Sequence, residues 1–404
     1  MDDAAAPPKS DAPLVRPGLV RLLAVAALLA ACAIIGADWF AHTRQAGVAN
    51  LEGQQLGRDF VNHWAGGRLA AEGRAALAYD IDWYVAYCRQ LTVPNAELKW
   101  FGYAPTAMLL ALPIGVLPFV PALIVWTLAG LALTVLLMRR QLGWGGALVA
   151  AVAAPAAIAN IIAGQNGAFV AALFAGGVAL TQRRPILAGV LFGLLTYKPH
   201  LGLLIPVALL AAGSWRSIAA AAATAVGLVA VSGLALGWDA WSGFFADAHI
   251  HRSLLEANPG MWPRMPTAYL AGRWLGVPSL AAYIAQGVCA VLAAGIVAVV
   301  WRRRDAPLAV RGFVLMVGAF LATPYAWDYD MIVLVVAAVW YGRHAQAEGW
   351  KPFERPVLAA LVLMPLVTPW LALYAHLQIA PLIYAAALAI GARRALQPAT
   401  QPRP

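Results

Sequence analysis

The residues most able to do chemistry in this chain are a few carboxylates, cations and amides set between long apolar runs. Asp59, in Gly57-Arg58-Asp59-Phe60, opens a stretch of helical periodicity. A carboxylate there either caps the helix by accepting backbone N–H bonds or takes a proton from a hydroxyl as general base. Asp80 with Asp82, and Asp328 with Asp330, stand two residues apart. That spacing suits a divalent cation held by oxygen ligands, or else a helix cap for the first pair and an interface charge for the second. Lys198, in Tyr197-Lys198-Pro199-His200, lies between Leu194-Leu195 and Leu203-Leu204, so its ammonium either snorkels to a membrane boundary or serves as a point charge for phosphate. Arg252, in His249-Ile250-His251-Arg252-Ser253, offers the same charge, and His249 or His251 could donate to phosphate or hold zinc. Arg264 and Arg273 read as a solvated face. Gln165 and Asn166 are turn residues or contacts for sugar hydroxyls. Trp327 and Tyr325 either stack on a sugar ring or belong to an aromatic belt.

The elements that position these groups follow from composition. Of 404 residues, 62% are hydrophobic and only 11% charged, where soluble domains run about a quarter charged. A water-soluble globule and a disordered chain are both excluded. The net charge of +10 comes as short basic pairs and triplets between apolar runs, without the basic stripe and interleaved aromatics of a nucleic-acid groove. Cys32, Cys88 and Cys289 lie far apart in no ligand spacing, so neither a zinc site nor a disulfide framework is indicated. The reading is an all-α polytopic membrane protein.

A bilayer core of about 30 Å needs about 20 helical residues per span. The stretch from Gln141 to Gln182 carries no charge and must fold back, with its turn at Ala163-Gly164-Gln165-Asn166-Gly167. Placing Arg139-Arg140, Arg183-Arg184, Arg216, Arg302-Arg303-Arg304, Arg343 and Arg393-Arg394 inside yields twelve spans. These lie near 19 to 38, 119 to 138, 145 to 162, 166 to 182, 185 to 197, 200 to 213, 217 to 237, 279 to 300, 307 to 324, 329 to 342, 356 to 373 and 379 to 395. Both termini, residues 1 to 18 and 396 to 404, are then cytoplasmic tails around one transmembrane domain, 19 to 395. The piece from Gly102 to Leu117, punctuated by prolines, reads as re-entrant or interfacial. External segments near 39 to 118 and 238 to 278 hold nine of the 18 acidic residues, and 59 to 72 and 82 to 92 are expected as helices lying on the membrane surface.

The order of landmarks resembles glycosyltransferase family 87, integral-membrane enzymes of the GT-C fold that use polyprenyl-phosphate-mannose donors. The matching pieces are Gly57-Arg58-Asp59-Phe60, Trp64-Ala65-Gly66-Gly67-Arg68, Ala78-Tyr79-Asp80, Tyr103-Ala104-Pro105, Leu112-Pro113, Gly164-Gln165-Asn166, the run Ala188 to Leu194 leading into Lys198-Pro199, and Thr323-Pro324-Tyr325-Ala326-Trp327-Asp328. The resemblance implies transfer of a hexose or pentose from a polyprenyl phosphate, with inversion, to a hydroxyl of a glycolipid or glycan on the extracytoplasmic side of a bacterial-type plasma membrane. It maps the base onto Asp59. Donor phosphate contacts are expected from Lys198, Arg252, His200, His249 and His251, and sugar or acceptor contacts from Gln165, Asn166, Trp327, Asp328 and Tyr103. Where the family often has a histidine, Asp328 follows Trp327. No cofactor is expected, a divalent metal being the alternative that paired carboxylates would serve. A lipid-linked donor brings its own anchor, which agrees with the lack of a Gly-rich phosphate loop between strand and helix. The rival class is a transporter or flippase, which would place ionisable residues near the bilayer midplane.

Overall fold

The computed structural model describes residues 17–43, 48–50, 52–97 and 99–397, apart from the side chains of residues 17, 19, 20, 248, 249, 251, 252 and 255. These residues form seventeen α-helices joined by short 3-10 turns. The helices are α1 (Pro17–His42), α2 (Phe60–Ala71), α3 (Ile81–Leu91), α4 (Pro105–Gly115), α5 (Phe119–Ala153), α6 (Pro155–Ala163), α7 (Gly167–Leu180), α8 (Pro185–Leu194), α9 (Ile205–Ala211), α10 (Trp215–Leu236), α11 (Trp238–Ala257), α12 (Ala268–Trp274), α13 (Ser279–Arg302), α14 (Leu308–Ala322), α15 (Ile332–Glu348), α16 (Glu354–Ala375) and α17 (Ala380–Leu396). No named strand occurs among the described residues.

Proline and glycine set the boundaries. Pro105, Pro155 and Pro185 each occupy the first turn of a helix, where a missing N–H costs nothing because the first four donors have no intrahelical partner. Gly143 takes a left-handed φ of 71° inside α5 and breaks it into two segments. Gly164 ends α6 at φ 58°, at the turn expected from the sequence.

Five helices are long and apolar enough to cross a bilayer: Arg21–His42 within α1, then α5, α10, α13 and α16. The other expected spans are shorter. The 14 residues of α7 reach about 21 Å at 1.5 Å per residue, and Lys198-Pro199 divides the stretch from 185 to 211 into α8, two 3-10 turns and α9. Five full-length helices, not twelve, are therefore what length and composition support. Of the short pieces, α7 and α14 lie largely inside protein, where irregular backbone is tolerated in membranes, whereas α8 and α9 keep exposed apolar residues such as Ile186 and Leu210. α14 is buried from Val310 through Ala322 and packs with α7, α13, α15 and α17 into the main core.

A second core joins α2 and α4 to the start of α5. Here the expectation of a helix resting on the membrane surface needs correction for α2. Nine of its twelve residues are buried, because it is pressed directly onto α4. A Cβ at Gly67 would lie 2.2 Å from Ala111 O, and one at Gly115 would lie 2.2 Å from Gly67 C. The eleven-residue α4, about 17 Å long, is too short to cross the bilayer and acts as the support on which α2 lies.

Candidate active site

The Asp59 loop is built by backbone contact with the α6–α7 turn. Gly57 and Arg58 both adopt positive φ, 67° and 39°, turning the chain so that Asp59 N–H donates to Ala163 O at 3.1 Å. Gly164 sits against this loop so closely that a Cβ would stand 2.5 Å from Phe60 Cβ and 2.7 Å from Gly57 O. Arg58 is held by Asp38 at the end of α1, at 2.9 Å. Asp59 precedes α2 but its side chain makes no cap bond. Its oxygens go instead to Lys99 Nζ at 3.1 Å and Gln165 Nε2 at 3.2 Å. Asp80, by contrast, is a cap, accepting from Trp83 N–H.

Gln165 is the centre of the network. A carboxylate only accepts, so the amide nitrogen must face Asp59 and the amide oxygen must be the acceptor on the other side. That oxygen receives the Tyr103 hydroxyl at 3.1 Å and His63 Nε2–H at 3.3 Å. His63 is stacked on Trp126, with ring centroids 5.0 Å apart.

One residue further on, Asn166 Oδ1 accepts from Lys198 Nζ at 3.0 Å, and the same ammonium is 2.5 Å from Asp330 Oδ1. The pair is fully buried. It is assembled by another backbone contact, since a Cβ on Gly167 would lie 2.2 Å from Tyr329 O, which seats the 328–331 turn on the start of α7. Asp328 turns away from Asp330 and is gripped by Arg264, whose Nε and Nη2 lie 2.8 and 2.9 Å from its two oxygens. The two carboxylates thus serve separate cations. Lys198 Nζ and the Arg264 guanidinium both approach the Tyr329 ring, at 5.2 and 5.9 Å from its centroid, and Trp327 lies parallel to that ring at 5.7 Å.

The electrostatics follow from this packing. Burial pushes the Asp59 carboxyl up, but the Lys99 charge and the Gln165 hydrogen bond more than offset it, leaving the pKa below the ordinary carboxylate value. Lys99 is raised, because Asp59 and Glu97 outweigh its own desolvation. Burial drives His63 down to about 4, aided by the nearby Lys198 charge. His63 is therefore neutral near pH 7, and Asp59 ionised.

Of the residues singled out in the sequence, Asp59, Tyr103, Gln165, Asn166, Lys198, Trp327 and Asp328 line one continuous network. His200 follows Lys198 in a 3-10 turn, with its Nε2 buried and no hydrogen-bond partner among the described residues. The side chains of His249, His251 and Arg252 lie outside the described residues. Three participants were missed. Lys99 stands in a loop beside Trp100 and Phe101, a signal that was available. His63 stands beside Trp64 on the buried face of α2, with no partner near it in the sequence to single it out. Arg264 was read as a solvated face, and only the fold brings it to Asp328, 64 positions away.

This geometry combines an ionised carboxylate with cations and aromatic faces, as a group transfer from an anionic leaving group requires. The model of glycosyltransferase family 87 matches residues 100–324, more than half of the chain. The match includes Tyr103, Gln165, Asn166, Lys198 and Arg264, whereas Asp59 and the Trp327–Asp330 turn stand outside it. No curated protein and no solved structure matches. An all-helical chain with five membrane-length helices, carrying this match over its central half, belongs to glycosyltransferase family 87.

Proposed function

We propose that the protein moves a mannose-like hexose or a pentose from a polyprenyl phosphate to a hydroxyl of a glycolipid or glycan, on the extracytoplasmic side of a plasma membrane with both termini in the cytoplasm. The observation that carries this reading is the Asp59–Gln165–Asn166–Lys198 chain of contacts, which joins an anionic base to buried cations in one network. Asp59 takes the proton of the acceptor hydroxyl. The acceptor oxygen then bonds to the anomeric carbon from the face opposite the phosphate, while the carbon–oxygen bond to phosphate breaks and its electron pair stays on the phosphate. Configuration at the sugar inverts.

Arg264 is the accessible cation for that phosphate, being 35% exposed where Lys198 is 4% exposed. Lys198 acts from behind, through Asp330 and Tyr329. Fixed positive charge in a partly dry site favours the charge that develops on the leaving group. Tyr103, Gln165 and Asn166 supply hydroxyl contacts, and Trp327 a face for a sugar ring. His200, His249, His251 and Arg252 remain donor-side contributors in this reading.

A lipid-linked donor also needs room for its chain. Beside Lys198 an apolar groove of about 390 Å³ runs between α8, α9 and α10, lined by Phe192, Leu195, Pro199, Leu203, Ile205 and Ile218 among others. α8 and α10 meet across glycines, where a Cβ at Gly189 would be 2.3 Å from Ser217 O. Close packing of small residues is how membrane helices associate, and it leaves the groove at the open end of that contact.

The test is reconstitution in liposomes with a labelled polyprenyl-phosphate sugar and a glycolipid acceptor. Transfer of label with inverted configuration supports the reading. Movement of intact donor between leaflets with no covalent product would replace it with the transporter.

A further inference from the structure

A polar cavity lies at the far end of the bundle from Asp59. α14 begins beside it and ends at the 323–331 turn that carries Asp328 and Asp330; the twelve steps from Arg311 to Thr323 put about 18 Å between the two places. The cavity, about 540 Å³, is lined by Arg216, Arg304 and Arg311, together with Trp215, Trp301 and Gln182 among others. No carboxylate lines it.

Arg311 is the informative residue. It is 4% exposed, and its Nε and Nη2 are buried without a hydrogen-bond partner among the described residues. Its guanidinium lies 5.4 Å from the Trp301 ring centroid, and Trp301 Nε1–H donates to its backbone oxygen at 3.0 Å, so it is held facing the cavity. Arg304 contributes one donor to Ala212 O at 3.0 Å. The nearest acidic residue in sequence, Asp305, is 64% exposed and paired with Arg303. Leaving two guanidinium donors buried and unmet is costly, and the exposed Arg216 and Arg304 add positive charge at the same cavity. No carboxylate among the described residues hydrogen-bonds the two unmet Arg311 donors, which leaves them free for an anion that enters the cavity.

We propose that this cavity binds the phosphate of an anionic lipid headgroup in the leaflet opposite the Asp59 site. Planar guanidinium groups suit phosphate oxygens, which they hold through paired hydrogen bonds. Basic pockets between membrane helices take such headgroups. The volume exceeds what one free phosphate fills, and the mouth is lipid-like. Trp215 and Ile186 beside it are 66% and 63% exposed, and tryptophan sits preferentially at the headgroup level.

The test uses the full-length protein purified in detergent, with native mass spectrometry of retained lipid after exchange into phosphatidylglycerol or phosphatidylcholine. The wild-type protein is expected to retain phosphatidylglycerol, and Arg311→Gln to weaken that retention about tenfold, in line with loss of a charge-assisted contact. Arg304→Gln and Arg216→Gln, both at exposed positions, provide the same reading if Arg311→Gln does not fold. Equal phosphatidylglycerol retention by the wild-type protein and the variants that fold overturns the site. Displacement of the lipid by millimolar inorganic phosphate, with thermal stabilisation by phosphate alone, overturns the lipid as occupant in favour of soluble phosphate. Sugar transfer in phosphatidylcholine vesicles, unchanged in Arg304→Gln, distinguishes failure here from failure of the proposed activity.

Discussion

Gln165 Nε2 donates to Asp59 Oδ2 across 3.2 Å, linking residues 106 positions apart and fixing the carboxylate against the α6–α7 turn. If Asp59 is the base, Asp59→Asn keeps this shape and removes the proton acceptor. Transfer should fall by about 10² to 10⁴-fold, with thermal stability of the purified protein little changed. Retained transfer in the liposome assay would remove Asp59 from the mechanism.

Lys99 holds the Asp59 pKa below its ordinary value. The base is needed ionised, so activity rises as pH passes upward through that pKa. Replacing Lys99 with Met removes the charge that lowers it, and the acid limb of the kcat/KM profile should move to higher pH. A profile that keeps its acid limb in the variant would show that another group controls it.

His63 gives stability its own pH dependence. Its folded pKa is about 4, against about 6.5 in an unfolded chain. As pH drops from 6.5 toward 4 the unfolded chain binds a proton that the folded one refuses, so stability falls over that window. Thermal unfolding of His63→Phe should show a shallower decline between these values.

Lys198 and Asp330 form a buried pair, and removing one partner strands the other. Lys198→Met should cost about 3–5 kcal/mol. The double variant with Asp330→Asn should recover part of that loss. Additive losses in the unfolding midpoints would mean the two charges are not coupled.

Arg264 binds Asp328 with both arms of its fork, which a lysine cannot reproduce. Arg264→Lys should lose about 1.5–3 kcal/mol of charge-assisted hydrogen bonding, seen as a roughly tenfold or greater drop in kcat/KM. Unchanged kinetics would place the donor phosphate elsewhere.

Much of this architecture was legible beforehand because glycine, proline and charge are strong local signals. The turn at Gly164, the breaks around Lys198-Pro199, α10 and the helices from α13 onward fall close to where the sequence puts them, while α11 and α12 lie in what reads as an external segment. The span count was less legible, since a run of apolar residues says nothing about whether its neighbours are lipid or protein. α14 is as apolar as any span yet has protein on all sides. At the site, Asp59, Gln165 and Lys198 stood out by residue type within apolar surroundings. Arg264 did not, because an arginine in a polar segment looks solvated until tertiary structure supplies its carboxylate.

The contact of Gly67 with α4 has a consequence of its own. With no side chain between the two backbones, the depth of the carboxylate at the head of α2 is set by the thickness of a peptide chain rather than by the outer loops. The exposed face of α3 can therefore be rebuilt without moving that group, whereas the stretch after it carries Lys99 and must stay.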